Sequence, residues 1–340
     1  MTVRVGINGF GRIGRNFWRA ARQQGADVEV VAVNDLTSAE TNAHLLAFDS
    51  THGRLDLPVR ADGDAIVVGD QRIRVLSERD PKSLPWGDLG VDVVVESTGL
   101  FTDREKAAAH LEGGAKRVVI SAPATGADAT FVIGVNDHTF DPSAHTVVSN
   151  ASCTTNCFVP MVKVLDDAFG VTSGLMTTVH AFTNDQNLLD LAHKDLRRAR
   201  SAPVNIVPSS TGAARATGLV LQSMQGRLDG TSLRVPVADG SITDFTALVP
   251  GTVTVAQVNE AFARAAATAP LKKVLAYTED PIVSSDIVGS PASATFDAGL
   301  TMVVAAGPDA TLVKVNAWYD NEWGYSHRLV DLVALVGGAG

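Results

Sequence analysis

The chain has 340 residues and two cysteines, both inside the small polar stretch Ser149-Asn150-Ala151-Ser152-Cys153-Thr154-Thr155-Asn156-Cys157. A helical pattern begins where the stretch ends, which puts Cys153 at a helix N-terminus. The partial positive charge there favours a thiolate and lowers the thiol pKa. Cys153, among hydroxyl and amide side chains, is therefore a candidate nucleophile. Cys157, one turn further along the same face, reads as a small core residue. A thiolate needs a base or a cation beside it. His180 closes the apolar run from Leu175 to Val179, where strand periodicity delivers it to a sheet edge, although spacing alone does not select it among eight histidines. Zinc on Cys153, Cys157 and His180 would lack a fourth ligand, so no metal is expected.

A second constellation lies at the other end of the chain. Asn8-Gly9-Phe10-Gly11-Arg12-Ile13-Gly14 carries G-x-G-x-x-G directly after a strand pattern and directly before a helical one. Gly9 allows the tight turn, Gly11 lets backbone approach a pyrophosphate, and Gly14 lets helix and strand pack closely. The helix N-terminal amides are left for the charge. Asp35 ends the second strand pattern, where a carboxylate can accept both ribose hydroxyls of NAD and repel a 2′-phosphate. A structural turn followed by an N-cap Asp is the alternative reading.

The densest basic run is His193-Lys194-Asp195-Leu196-Arg197-Arg198-Ala199-Arg200, followed by Pro208-Ser209-Ser210-Thr211-Gly212 and by Arg234. Arginine forks and small backbone donors suit phosphate oxygens. A solvated face or a subunit contact is the plainer reading for part of this run. The net charge of −9 argues against nucleic acid as a primary partner. No stretch is long and apolar enough to span a membrane, and no signal segment is evident, so a cytoplasmic location is expected. An anionic substrate meeting a thiolate beside a dinucleotide suggests oxidation of a phosphorylated aldehyde.

The elements that must carry these groups alternate in the first half of the chain. Strands are expected over residues 3–7, 28–33, 91–96 and 117–120, a hairpin over 65–75, helices over 13–24 and 104–111, and a connection through 44–48. Strand–helix alternation of this kind predicts an α/β, doubly wound sheet. After about residue 150 the grammar changes. Helices are expected over 154–169 and 255–268, and longer strands over 174–182, 232–237, 242–249 and 300–305. The second domain should therefore be built on a mixed or antiparallel sheet.

Along essentially its whole length the chain resembles the phosphorylating glyceraldehyde-3-phosphate dehydrogenases. The resemblance is carried by Gly-Ile-Asn-Gly-Phe-Gly-Arg-Ile-Gly from Gly6, the nine residues from Ser149, and His180 through Gln186. Ser-Thr-Gly-Ala-Ala from Ser210 and Trp318-Tyr319-Asp320-Asn321-Glu322-Trp323-Gly324-Tyr325 complete it. It implies a Rossmann-type NAD-binding domain over residues 1–151, an α+β catalytic domain over 152–316, and a C-terminal helix over about 317–340 that packs back on the first. Cys153 would be the nucleophile and His180 its base. Gly9, Gly11, Arg12, Ile13, Gly14, Asp35, Arg79, Ser121, Asn184 and Asn316 would hold NAD. Ser152, Thr154, Thr183, Thr211, Gly212 and Arg234 would hold glyceraldehyde 3-phosphate or inorganic phosphate, together with Arg200 or, second in preference, Arg198. The family implies a homotetramer in which residues 182–205 line a neighbouring subunit's cofactor site. Erythrose-4-phosphate dehydrogenase, with release by water, is the nearest rival.

The chain departs from the family's pattern in three places. Ala192 stands where many NAD-specific members carry Pro, which bears on exclusion of NADP, though Asp35 still favours NAD. Gln222-Ser223 replaces a usual Pro-Glu, and Ala238-Asp239-Gly240 brings a new carboxylate expected near the phosphate-binding region. These departures suggest an isoform with altered sensitivity to electrophiles that alkylate Cys153.

Overall fold

A computed structural model describes residues 2–338. The chain divides into two compact units. One takes the described residues up to Phe131, Asp137–Ser152 and those from Ser326 onward; the other takes Val132–Asn136 and Cys153–Tyr325.

The first unit is built on nine strands: β1 (Val3–Asn8), β2 (Val28–Asn34), β3 (Val59–Asp62), β4 (Ala65–Val68), β5 (Gln71–Leu76), β6 (Val93–Glu96), β7 (Arg117–Ile120), β8 (Ala129–Thr130) and β9 (Val147–Ser149). Their order is β3-β4-β5-β2-β1-β6-β7-β9-β8, parallel from β5 onward with an antiparallel hairpin at one edge. Apolar runs explain the parallel core: Val93, Val94 and Val95 are all fully buried, as expected of strands covered on both faces. Helix α1 (Arg12–Gln24) follows β1 and stops at Gly25, whose left-handed φ of 59° a side chain would oppose.

Two expectations for this unit are corrected. Residues 44–48 belong mostly to helix α2 (Ala39–Ala47), capped by the Ser38 side chain, and are not a connection. The helix expected over 104–111 is two single turns, α3 (Arg104–Ala107) and α4 (Ala109–Glu112), meeting at Ala108.

The second unit carries α5 (Cys153–Phe169), α6 (Ala213–Val220), α7 (Val255–Ala267) and α8 (Ser284–Ile287) with a mixed sheet. Its strands are β10 (Ser173–Ala181), β11 (Val207–Ser210), β12 (Leu228–Val235), β13 (Ser241–Pro250), β14 (Leu275–Thr278), β15 (Ala294–Asp297), β16 (Met302–Ala305) and β17 (Ala310–Tyr319). The order is β11-β12-β10-β13-β17-β15-β14, with β16 on β17. β10 runs parallel to β12 and antiparallel to β13, so the mixed sheet is as expected. Helix α5 packs on β13, β15 and β17, where the Phe158 and Phe245 rings meet edge to face at 4.8 Å.

Residues 317–319 finish β17, and the tail helix α9 starts later, spanning Trp323–Gly338. From Ser326 it belongs with the first unit, where Arg117 Nη1 donates to the Val336 carbonyl at 2.9 Å. The last two residues of the expected tail lie outside the described residues.

Candidate active site

The helix that carries the candidate nucleophile begins two residues after a strained one. Ala151 has φ of 55°, the left-handed region that non-glycine residues rarely adopt, and its N–H donates to Ser149 Oγ at 3.0 Å. Cys153 is the first residue of α5 and keeps part of its surface open. Its Sγ lies 3.4 Å from His180 Nε2, so the two sequence candidates do meet.

His180 sits at the carboxyl end of β10. That strand lies between β12 and β13, so the histidine is at a strand end and not on an edge strand. The parallel register with β12 pairs His180 directly with Arg234. Arg234 Nη1 reaches His180 Nδ1 at 2.6 Å and donates to the Ala181 carbonyl at 3.1 Å; that carbonyl is itself 2.7 Å from Nδ1. A guanidinium only donates, so with Arg234 in this position Nδ1 accepts.

Burial and then the Arg234 charge hold the imidazole down at about 3, so His180 is uncharged at neutral pH. The helix N-terminus was expected to lower the Cys153 thiol. Instead its burial pushes it up, against the opposing pull of Arg234 and of hydrogen bonding around Thr154. The resting pair is therefore thiol and imidazole, with Nε2 placed to exchange a proton with Sγ. Cys157 lies in the core, where burial pushes its thiol up too, and its Sγ faces the Ala317 carbonyl at 3.8 Å.

Tyr319 is the site residue that sequence reasoning missed. Its hydroxyl bridges Thr154 Oγ1 at 2.9 Å and Thr178 Oγ1 at 2.7 Å, and its ring lies 5.9 Å from the His180 ring. It thus ties the first turn of α5 to the strand that carries the base. The only signal was its place in the Trp318–Tyr325 motif.

Of the two arginines weighed in the basic run, Arg198 lies within electrostatic reach of Arg234. Its Nε donates to Ser209 Oγ at 2.7 Å, and its fork engages Asp185. Arg200, the first preference, instead pairs with Asp190 at 2.9 Å on an exposed surface. Thr211 Oγ1 accepts the Ala213 N–H at the start of α6, next to Gly212. Thr183 is half-buried just past β10, and Ser152 just precedes Cys153.

Asp239, expected near the phosphate-binding region, is buried with Asp320 close by. Burial, then Asp320, pushes its carboxyl up to about 9. A folded value above the unfolded one contributes stability below about pH 4 that is lost as pH rises toward 9. Asp239→Asn keeps the acceptor for the Gly240 N–H and removes the ionisation. It should gain about 2 kcal/mol at pH 8 and little at pH 5. Denaturant melts of both proteins at the two pH values check this; a gap independent of pH would refute it.

In the first unit, the dinucleotide candidates Gly9, Gly11, Asp35 and Arg79 line a cleft of ≈ 370 Å³ together with Asn8, Asn34, Ser97 and Thr98 among others. Gly9 has φ of +91°, and a Cβ there would meet the Thr98 nitrogen at 2.7 Å. A Cβ on Gly14 would meet the Gly9 carbonyl at 2.4 Å. A Cβ on Gly11 would meet nothing within 4 Å, and α1 has no side-chain cap there, so its N-terminal amides face room for an anion. Asp35 is oriented by the N–H groups of Phe10 and Thr37, both at 3.0 Å, and by the Thr37 hydroxyl. These residues fit NAD.

The Arg12 side chain is held by Asp49 at 2.6 Å, leaving its backbone for the phosphates. Ile13 is half-buried beside it, and Ser121 follows β7, its N–H on the Glu96 carbonyl. Asn184 and Asn316 belong to the second unit. Asn184 is exposed after β10; Asn316 is buried on β17, its amide 3.5 Å from the Leu300 carbonyl.

Two segments of the chain match models of one protein family. Residues 3–104 match the glyceraldehyde 3-phosphate dehydrogenase NAD binding domain, and residues 152–321 match the C-terminal domain of the same family. Glyceraldehyde-3-phosphate dehydrogenase 1 of Streptomyces avermitilis is 62% identical over 337 residues, covering 99% of both chains. The Mycobacterium avium and Streptomyces coelicolor glyceraldehyde-3-phosphate dehydrogenases are 61% and 59% identical, each with 99% coverage of both chains.

Proposed function

The chain belongs to the glyceraldehyde-3-phosphate dehydrogenase family, and from that premise we propose how its own residues carry the reaction. The protein is an NAD-dependent oxidoreductase of glycolysis that converts glyceraldehyde 3-phosphate and inorganic phosphate to 1,3-bisphosphoglycerate. The observation that carries the assignment of roles is the 3.4 Å approach of Cys153 Sγ to an uncharged His180.

An anion that draws Arg234 Nη1 away lets His180 Nδ1 donate to the Ala181 carbonyl, leaving the Nε2 lone pair for the thiol proton. Cys153 then bonds the aldehyde carbon while its proton passes through Nε2 to the carbonyl oxygen, giving a hemithioacetal and leaving Nε2 free again. His180 takes the hydroxyl proton as the carbonyl re-forms. NAD, when held by the Gly9–Gly14 turn, Asp35 and Arg79, supplies the two-electron oxidant that turns hemithioacetal into thioester. Inorganic phosphate held by Arg234, Arg198 and Thr211 attacks the thioester carbon, the C–S bond breaks, and acyl phosphate leaves. The thioester matters because it conserves oxidation energy that a carboxylate would lose.

The assay is NADH formation from glyceraldehyde 3-phosphate with and without inorganic phosphate, before and after thiol alkylation. Steady turnover is expected only with phosphate and an unmodified thiol. Turnover independent of phosphate would instead favour release by water.

The same reading extends to assembly. Leu188, Leu189, Leu191, Leu196, Val204 and Ile206 are all more than 60% exposed within one short segment, more apolar surface than a monomer leaves uncovered. Burying it in a homotetramer accounts for that segment. No helix among the described residues is long and apolar enough to cross a membrane, which is compatible with work in the cytoplasm.

A further inference from the structure

Three adjacent parallel strands of the first unit end on one rung. Asn34 of β2 pairs with Asn8 of β1, and Asn8 pairs with Glu96 of β6. All three side chains are buried and hydrogen-bond along the rung. Asn34 Nδ2 donates to Asn8 Oδ1 at 2.7 Å, and Asn8 Nδ2 donates to Glu96 Oε2 at 2.6 Å. The line continues away from the cleft: His110 Nε2 lies 2.9 Å from the same Glu96 oxygen, and Trp86 Nε1 donates to His110 Nδ1 at 3.1 Å. An indole N–H can only donate, so Nδ1 accepts and the imidazole proton sits on Nε2, aimed at Glu96.

Both ends of the rung hold walls of the nucleotide cleft. Asn34 clamps Glu78, accepting its N–H at 2.8 Å and donating to its carbonyl at 2.8 Å, next to Arg79. Glu96 Oε1 accepts the Thr98 N–H at 2.9 Å and the Thr98 hydroxyl at 2.5 Å. The Phe101 ring, another wall, lies edge-on to His110 at 6.4 Å. His110 and Trp86 have no exposed surface of their own.

We propose that His110 is a positioning residue for the dinucleotide, acting through Glu96 on Thr98 and through Asn8 and Asn34 on the Glu78–Arg79 turn. The proposal rests on the NAD-binding reading of this cleft. Without the imidazole, Glu96 Oε2 loses one of two donors and the indole N–H loses its acceptor, both in a site that water does not fill cheaply. The carboxylate keeps Asn8 and Thr98 but loses the donor that fixes Oε2 from the far side, so its position loosens and binding must first re-order two walls that the intact rung holds ready.

The test is calorimetric NAD titration of the full-length protein with substrate absent. His110→Leu removes both functions of the ring and should weaken NAD binding about tenfold or more. His110→Gln, whose amide donates toward Glu96 and accepts from Trp86, should stay within about threefold of wild type. The rate of Cys153 alkylation without NAD should be unchanged in both. Should His110→Leu not fold, Trp86→Phe removes the donor to Nδ1 while keeping the imidazole and an aromatic ring in the core, and should still weaken binding about threefold. Wild-type affinity in a folded His110→Leu or Trp86→Phe protein, or equal weakening by Leu and Gln, would overturn the proposal. A wild-type protein that did not bind NAD would overturn the function itself, which separates the two failures.

Discussion

Replacing Cys153 by serine should abolish NAD reduction while NAD binding survives. The drop in kcat is expected to be at least ~10⁴-fold, the scale on which enzymes that work through a covalent nucleophile fail without it. The reason lies in the pair's geometry and protonation. Burial already pushes the Cys153 thiol up, and His180, held down at about 3, is a weak base at rest. A serine hydroxyl is a far weaker acid than a thiol, so the same imidazole cannot activate it, and an ester conserves less energy for transfer to phosphate. The substitution is nearly isosteric at the first residue of α5, where a hydroxyl is well tolerated, so folding should hold. Calorimetry for NAD alongside single-turnover NADH formation checks both halves. Activity within tenfold of wild type would remove Cys153 from the mechanism.

Why some of this was visible in the sequence and some was not follows from the range of the interactions. The Gly9–Gly14 turn is local: each glycine answers to backbone within reach of the same strand, turn or helix, so spacing carries it. Cys153 at the head of α5 is equally local. The thiol's electrostatics are not. A helix N-terminus could be read from the chain, but packing around the sulfur and the opposing Arg234 charge depend on how β10, β12 and α5 assemble. Arg234 was legible as an anion ligand, yet its contact with His180 exists only because the parallel register pairs positions 54 residues apart. Tyr319 joins two threonines that lie on different elements far earlier in the chain. Helix α2 escaped because its buried face is Ala39, Asn42, Ala43 and Leu46, too small and too polar to show a clear apolar stripe. The choice between Arg200 and Arg198 is out of the sequence's reach for a similar reason, since acidic partners such as Asp190 and Asp185 come from loop geometry that composition does not order.

His180→Asn should slow thioester formation by roughly 10²–10⁴-fold, the span for a lost general base, while Kd for NAD stays unchanged. The asparagine amide oxygen can accept from Arg234 in place of Nδ1, so the end of β10 need not move, but it offers no nitrogen able to take the thiol proton. The loss must then fall on acylation. In rapid mixing with saturating substrate, the burst of NADH should disappear and the slow step should acquire the pH dependence of the thiol alone, rising with pH because the thiolate must form without help. Transfer of the acyl group from a preformed thioester to phosphate should suffer less, since Arg234, Arg198 and Thr211 remain. Should His180→Asn keep its burst and lose only the phosphate step, the imidazole would belong to acyl transfer, and proton removal from Cys153 would have to be assigned to solvent.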